Sequence, residues 1–581
     1  MILKKINTLL TAIKKSILLE NYFIFFVVFL FFLYPLTQSG FIGDDAYNSQ
    51  IKGRLIQENS NIFNFWLREV SSWYWNNGRL YPLSFYSYFL FFLIENVFIY
   101  KIFCLILILL NIFYFRKIIL HESKSNTFAN ISIFLILIFF QIRPWHDSIL
   151  SFHSLIPMIT FFFFLSFNHY QIFIETNKNK NLYLSSIFFL ITLLMYEISY
   201  LFIFIFLFYK FKVKDFKKKI FNLKIHIIFL IVCFILVIVA RIKIYITGEL
   251  YYPSIEANFI FKNFLIATFY QIVGTIPAIF TLREVMLDIF YFNTKFDFQI
   301  IKDILINKFF YYKKLFLVTD IFFLFIYFYA LKKLFNKQIT YKFKYSSLFI
   351  LGLLLVLLPS IVVGVSGHQN EIVRVGPGLS YIPVYLQYYG LCILFLILVC
   401  KNLSNNKWKI LLIVTICIVP YVHLLNFREV VNNSNIKYKY PSDLLEKSIN
   451  TGLLNHLGDK AVILNTNKIP ADWIWFLSQK AKKKLNVCAI ETFKDCPYVE
   501  QLKGNNSISN YEFNHKDFYY LNYDYNHKSK ENKVFLYKIE KIIFNNLGLI
   551  TSIQTTQKKY YNEDIKTISK FEVYNKNFIL K

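Results

Sequence analysis

Apolar runs of about 18 residues or more recur through the first three quarters of the chain, each long enough to cross ~30 Å of hydrocarbon. A water-soluble core cannot absorb that many. With 68 Phe and only 17% charged residues among 581, the chain falls in the polytopic membrane class. The formal charge of +29 does not point to nucleic acid. Its basic residues sit in short loops between apolar runs, as the positive-inside rule expects.

Orientation follows from those loops. Residues 210–224 carry Lys210, Lys212, Lys214, Lys217, Lys218, Lys219 and Lys224 against Asp215 alone, and 332–345 carry Lys332, Lys333, Lys337, Lys342 and Lys344 with no acid. Both are expected in the cytoplasm. The segment 40–79 balances Lys52, Arg54, Arg68 and Arg79 with Asp44, Asp45, Glu58 and Glu69, which suits the outside. Residues 1–20 read as an amphipathic helix on the cytoplasmic surface, not as a cleaved signal.

Spans are expected at about 22–39, 97–115, 129–143, 150–168, 183–195, 199–209, 226–246, 312–331, 346–364, 379–400 and 408–425. The apolar stretch 183–209 has basic flanks on both sides, so it reads as a hairpin of two short helices with "MYEIS" (195–199) at its outer tip. Residues 264–281 read as a re-entrant or surface-lying helix, because a crossing there would put 332–345 outside. The expected fold is an all-α membrane bundle of about eleven helices over 1–425, with a small extracytoplasmic α/β domain over 426–581. Five cysteines lie in or beside apolar spans. Cys488 and Cys496 are close together in the tail and would form a disulfide loop in an oxidising compartment.

This topology gathers the chemistry-bearing residues on one face. The first external loop, 40–82, holds Asp44, Asp45, Arg54 and Arg79. The second, "QIRPWHDSILSFHS" (141–154), holds Arg143, His146, Asp147 and His153. Glu197 sits at the hairpin tip, and "SGHQNEIVRVGPG" (366–378) adds His368, Glu371 and Arg374. Carboxylates, arginines and histidines just outside hydrocarbon suit a lipid-linked phosphorylated substrate. An arginine fork grips phosphate, and a carboxylate takes the proton from an attacking hydroxyl. Structural readings stand beside these. Asp44 or Asp45 could cap a following helix, Glu197 could be simple turn polarity, and Arg79 or Arg374 could reach to headgroups. His146 and His153 lie two helical turns apart but lack a third zinc ligand.

The acidic pair directly after the first span, with the downstream Gly-Arg of "DDAY…GRLYP", resembles the signature of the GT-C superfamily of integral-membrane glycosyltransferases. Within it, the chain is nearest the bacterial GtrII-like glucosyltransferases. In motif the resemblance covers 43–47 and 78–82. It implies an inner-membrane enzyme of surface-glycan assembly, using a polyprenyl-phosphate sugar as donor and a glycan, lipid or protein as acceptor. By that resemblance one of Asp44 and Asp45 is the base and the other orients it or contacts a divalent metal, with the assignment open. Glu197 is a further catalytic candidate. Arg54, Arg79, His146, Asp147, His153, His368, Glu371 and Arg374 are candidate substrate contacts, with Arg374 or Arg79 on the lipid phosphate. An O-antigen-type polymerase or ligase would instead tolerate loss of the acidic pair. A transporter would show mid-membrane charge and related halves.

Overall fold

The computed structural model describes residues 23–143, 147–152, 154–209, 216–247, 261–279, 298–336, 345–365, 383–402, 406–455, 457–458, 461–465, 473–489, 510–512, 518–524, 533–544, 550–555 and 559–561. The amphipathic helix expected over 1–20, and much of the lysine-rich loops 210–224 and 332–345, lie outside them. The chain forms two compact units. One comprises 1–38, 68–86 and 96–431; the other comprises 39–67, 87–95 and 432–581. The segment 40–82, expected as the first external loop, is thus divided, and its part with Asp44 and Asp45 belongs to the unit that holds the tail.

The first unit is a helical bundle. Among the described residues five helices are long and apolar enough to cross a membrane, or six if a bent pair counts as one span. Val97–Ser123 is one of them. Asn96 caps it, its Oδ1 accepting from the N–H groups of Phe98 at 2.9 Å and Ile99 at 3.2 Å. Phe115 and Phe164 each meet Tyr389 edge-on in the bundle core, with ring centroids 5.0 Å apart in both pairs.

The stretch 179–208 does reverse. Helix Asn179–Met195 breaks at Tyr196, and the chain returns through Glu197–Phe202 and Ile203–Phe208. Both ends meet the last turns of Leu155–Thr176, where His169 Nδ1 lies 3.4 Å from Asn181 and Gln171 donates to the Tyr209 hydroxyl at 3.2 Å. Helix Phe261–Val273, at 13 residues, is too short to cross alone.

Three expected spans differ. The helix expected at 129–143 is Asn126–Leu135 with a 3₁₀ turn to Ile138. The chain beyond it is irregular yet buried, a state tolerated at membrane depth only inside protein or beside a water-filled cavity. Side chains pin this segment. Tyr388 Oη donates to Gln141 O, Asn426 Nδ2 to Ile142 O, and Lys101 Nζ to Leu150 O at 3.1 Å. The span expected at 312–331 is broken instead, with Ile306–Leu315 and Thr319–Phe335 meeting at 99°. Asp320 makes that elbow: its carboxylate accepts the Leu317 N–H and both arms of the Arg428 guanidinium. The last helix overruns its expected end at 425, because Asn406–Ser434 passes through a π turn, Asn435–Lys439, into Tyr440–Asn450.

The second unit carries the strands. They are β1 Val462–Asn465, β2 Asn486–Ala489, β3 Asn510–Glu512, β4 Phe518–Asp524, β5 Lys533–Phe544, β6 Ile550–Thr555 and β7 Lys559–Tyr561, in the order β2-β1-β4-β5-β6-β7, with β3 on β5. β1 is parallel to β2 and β4, and the other pairings are antiparallel. Helix Trp473–Ala481 connects β1 to β2 and buries Leu477 in a core with Leu444, Ile463, Leu485, Leu521 and Val534. Cys488 in β2 is disulfide-bonded, while Cys496 lies outside the described residues.

Candidate functional site

In the second unit the acidic pair opens the short helix Asp44–Asn48. Neither aspartate is its N-cap. That position is Gly43, whose φ of 56° and ψ of −127° favour glycine, and no side chain caps the helix. The capping alternative for the pair therefore lacks its hydrogen bond. Asp45 is fully buried, whereas Asp44 is only partly so. Desolvation pushes the Asp44 carboxyl up to about 6. A carboxylate that still meets solvent but titrates near neutrality is suited to take a proton.

Arg54, expected at the substrate, lies instead among rings. It is 6% exposed, and its guanidinium carbon sits 4.3 Å from the Trp475 ring centroid, 4.5 Å from Phe65, 5.1 Å from Tyr47 and 6.0 Å from Tyr88. Flat, delocalised and weakly hydrated, guanidinium is the cation that accepts such a cage.

In the first unit Arg79 and Glu197 find each other across 118 positions. Arg79 Nε donates to both carboxylate oxygens at 3.1 Å, and Nη2 to Oε2 at 2.7 Å. Tyr81 and Tyr196 flank the guanidinium at 4.7 and 5.3 Å. Burial works against the Arg79 charge, but Glu197 and the two tyrosines outweigh it and hold its pKa well above the usual arginine range. The expected catalytic carboxylate and the expected phosphate grip are thus joined in a two-pronged bridge. Its geometric effect is to fasten the hairpin tip to the Gly78–Arg79 turn, where Arg241 Nε also donates to Gly78 O.

Asp147, another expected substrate contact, is buried and accepts from the backbone N–H groups of Arg143, Ile149 and Leu150 at 3.0, 2.8 and 3.0 Å. Through these bonds it shapes the irregular segment. His146, His153, His368, Glu371 and Arg374 lie outside the described residues. Two contributors escaped the sequence reading. Lys101 is a buried cation inside an otherwise apolar span, a functional signal by default in a membrane protein. Trp475 belongs to "WIWF", an aromatic run in an otherwise polar tail.

No three or more His, Cys, Asp or Glu among the described residues are grouped to hold a metal ion. Asp44 and Asp45 are consecutive on a helix and so point ~100° apart. Asp45 is buried and Asp44 half-buried.

No family model matches the chain, and no curated protein matches it.

Proposed function

We propose that this chain is a membrane glycosyltransferase that moves a sugar from a polyprenyl phosphate to an acceptor hydroxyl on the extracytoplasmic face, with inversion. The described apolar helices belong to about eleven crossings, and 426–581 forms an extracytoplasmic α/β domain. The observation that carries this reading is Asp44. It is a partly exposed carboxylate beside a fully buried one, directly after the first apolar helix, raised by burial to about 6.

In this reading Asp44 is the general base and Asp45 its buried neighbour. The acceptor hydroxyl gives its proton to Asp44 as its oxygen attacks the anomeric carbon. The C–O bond to the lipid phosphate breaks, and the phosphate leaves with the electron pair. A fixed cation at that phosphate stabilises the charge as it grows. Arg79, one of the two arginines expected there, is engaged by Glu197.

The test is transfer in membranes from a panel of labelled polyprenyl-phosphate sugars. Wild type transfers one of them, and Asp44→Asn transfers it ~10²–10⁴-fold more slowly. Equal transfer by both ends the reading. The disulfide at Cys488 supports an oxidising, extracytoplasmic location for the tail. A membrane-impermeant maleimide applied to intact cells is expected to label Cys488 only after an impermeant reductant. Labelling that appears only after the cells are permeabilised would contradict that side assignment.

A further inference from the structure

The acidic helix is not held by its own loop. Helix Ile51–Glu58 follows it within two residues and lies backbone-to-backbone against the helix Trp473–Ala481. A Cβ at Gly53 would fall 1.8 Å from the carbonyl oxygen of Trp475, so only glycine permits this approach. Gln57 Nε2 then donates to Ser478 Oγ at 2.6 Å and to Leu485 O at 2.7 Å. The Trp475 ring meets Tyr47 edge-on, with centroids 5.0 Å apart, and takes Arg54 on its face. Tyr47 stands three positions after Asp44 on the same short helix, so the two are surface neighbours. On its other side Trp473–Ala481 is bolted to the sheet by fully buried Leu477. Its first turn follows β1, at the carboxyl edge of the parallel strands, where open α/β sheets receive their ligands. Here the chain's own 47–58 segment docks against that helix.

We propose that Trp475 and Arg54 are positioning residues for the transfer reaction: through Tyr47 they fix Asp44 against the acceptor, making the C-terminal sheet the scaffold of the base. This inference rests on the glycosyltransferase reading above. It explains why Arg54 sits in a cage of rings rather than at a substrate. It also gives the tail a part in chemistry that its distance in sequence conceals, 421 positions from Arg54 to Trp475.

The test uses the full-length protein in proteoliposomes, with the active labelled polyprenyl-phosphate sugar and its acceptor. Trp475→Ala is expected to lower kcat by about 10²-fold, the scale of a displaced reacting group, with the donor KM unchanged. It should also shift the acid limb of kcat/KM downward as water reaches Asp44. Trp475→Phe, which keeps a ring for the guanidinium, should restore most of the rate. Gly53→Ala should reproduce the loss by wedging the two helices apart, and it keeps the test alive if Trp475→Ala does not fold. Wild-type turnover per folded molecule and an unmoved acid limb in the variants that fold overturn the inference. Full activity in Asp44→Asn is a separate result, which would overturn the underlying reading whatever the Trp475 variants do.

Discussion

Exchanging Asp44 for asparagine is expected to cost ~10²–10⁴-fold in transfer, the range spanned by loss of a positioned general base. The amide is nearly the same size and keeps the helix, but it cannot accept the acceptor's proton. Asp45→Asn should be milder, since its carboxylate is sealed from solvent. The same exchange at Asp44 should stabilise the fold at neutral pH. The carboxyl is raised by desolvation to about 6, so the folded state holds the proton more tightly than the unfolded chain does. That stabilisation is present below the ordinary carboxylate range and is lost as pH rises through about 6. At pH ~7 the ionised group therefore carries a penalty on the order of 3 kcal/mol at most, less for its partial exposure, which asparagine removes. Thermal unfolding in detergent should place the variant above wild type at neutral pH and level with it near pH ~4. A variant that is inactive but more stable identifies a functional carboxylate, because a purely structural one would lose stability on replacement.

The second large effect is structural. Arg428 grips Asp320 with both arms, at 2.6 and 2.7 Å, and donates to Leu315 O at 3.0 Å, while the Asp320 side chain is 0% exposed. Asp320→Ala leaves the guanidinium without its counter-ion at the 99° elbow between Ile306–Leu315 and Thr319–Phe335. Breaking one side of a buried pair costs about 3–5 kcal/mol, whereas replacing both partners with apolar residues can be nearly neutral. Asp320→Ala should therefore lower the melting temperature steeply, and Asp320→Leu with Arg428→Met should recover much of it. Equal melting of the single and double variants would show that the pair is not what holds the elbow. Neighbouring Lys308 and Glu429, 2.9 Å apart, add a second, half-buried tie at the same place.

These residues show how far the sequence could be read. Long apolar runs announce helices because hydrocarbon leaves few alternatives, and the basic flanks of 183–209 marked a reversal. The elbow was missed although Asp320 lay inside the span expected at 312–331. A buried acid there was the signal, but apolar neighbours outweighed it. Lys101 was hidden in the same way. The acidic pair stood out by its place after the first apolar run, yet its surroundings did not. Arg54 and Arg79 looked like loop cations free for a substrate. Their partners, Trp475 and Glu197, come from distant parts of the chain, and no local period or spacing records such pairings. The capping alternative could be weighed only once backbone angles put Gly43, not an aspartate, at the cap.

The central claim is that Asp44 must be ionised to work, and the pH dependence of kcat/KM for transfer from the labelled polyprenyl-phosphate sugar tests it most directly. An acid limb with half-maximal activity at about 6, absent from the residual activity of Asp44→Asn, is the predicted result. A limb that survives unchanged in Asp44→Asn, or a variant as active as wild type across the range, would contradict the account.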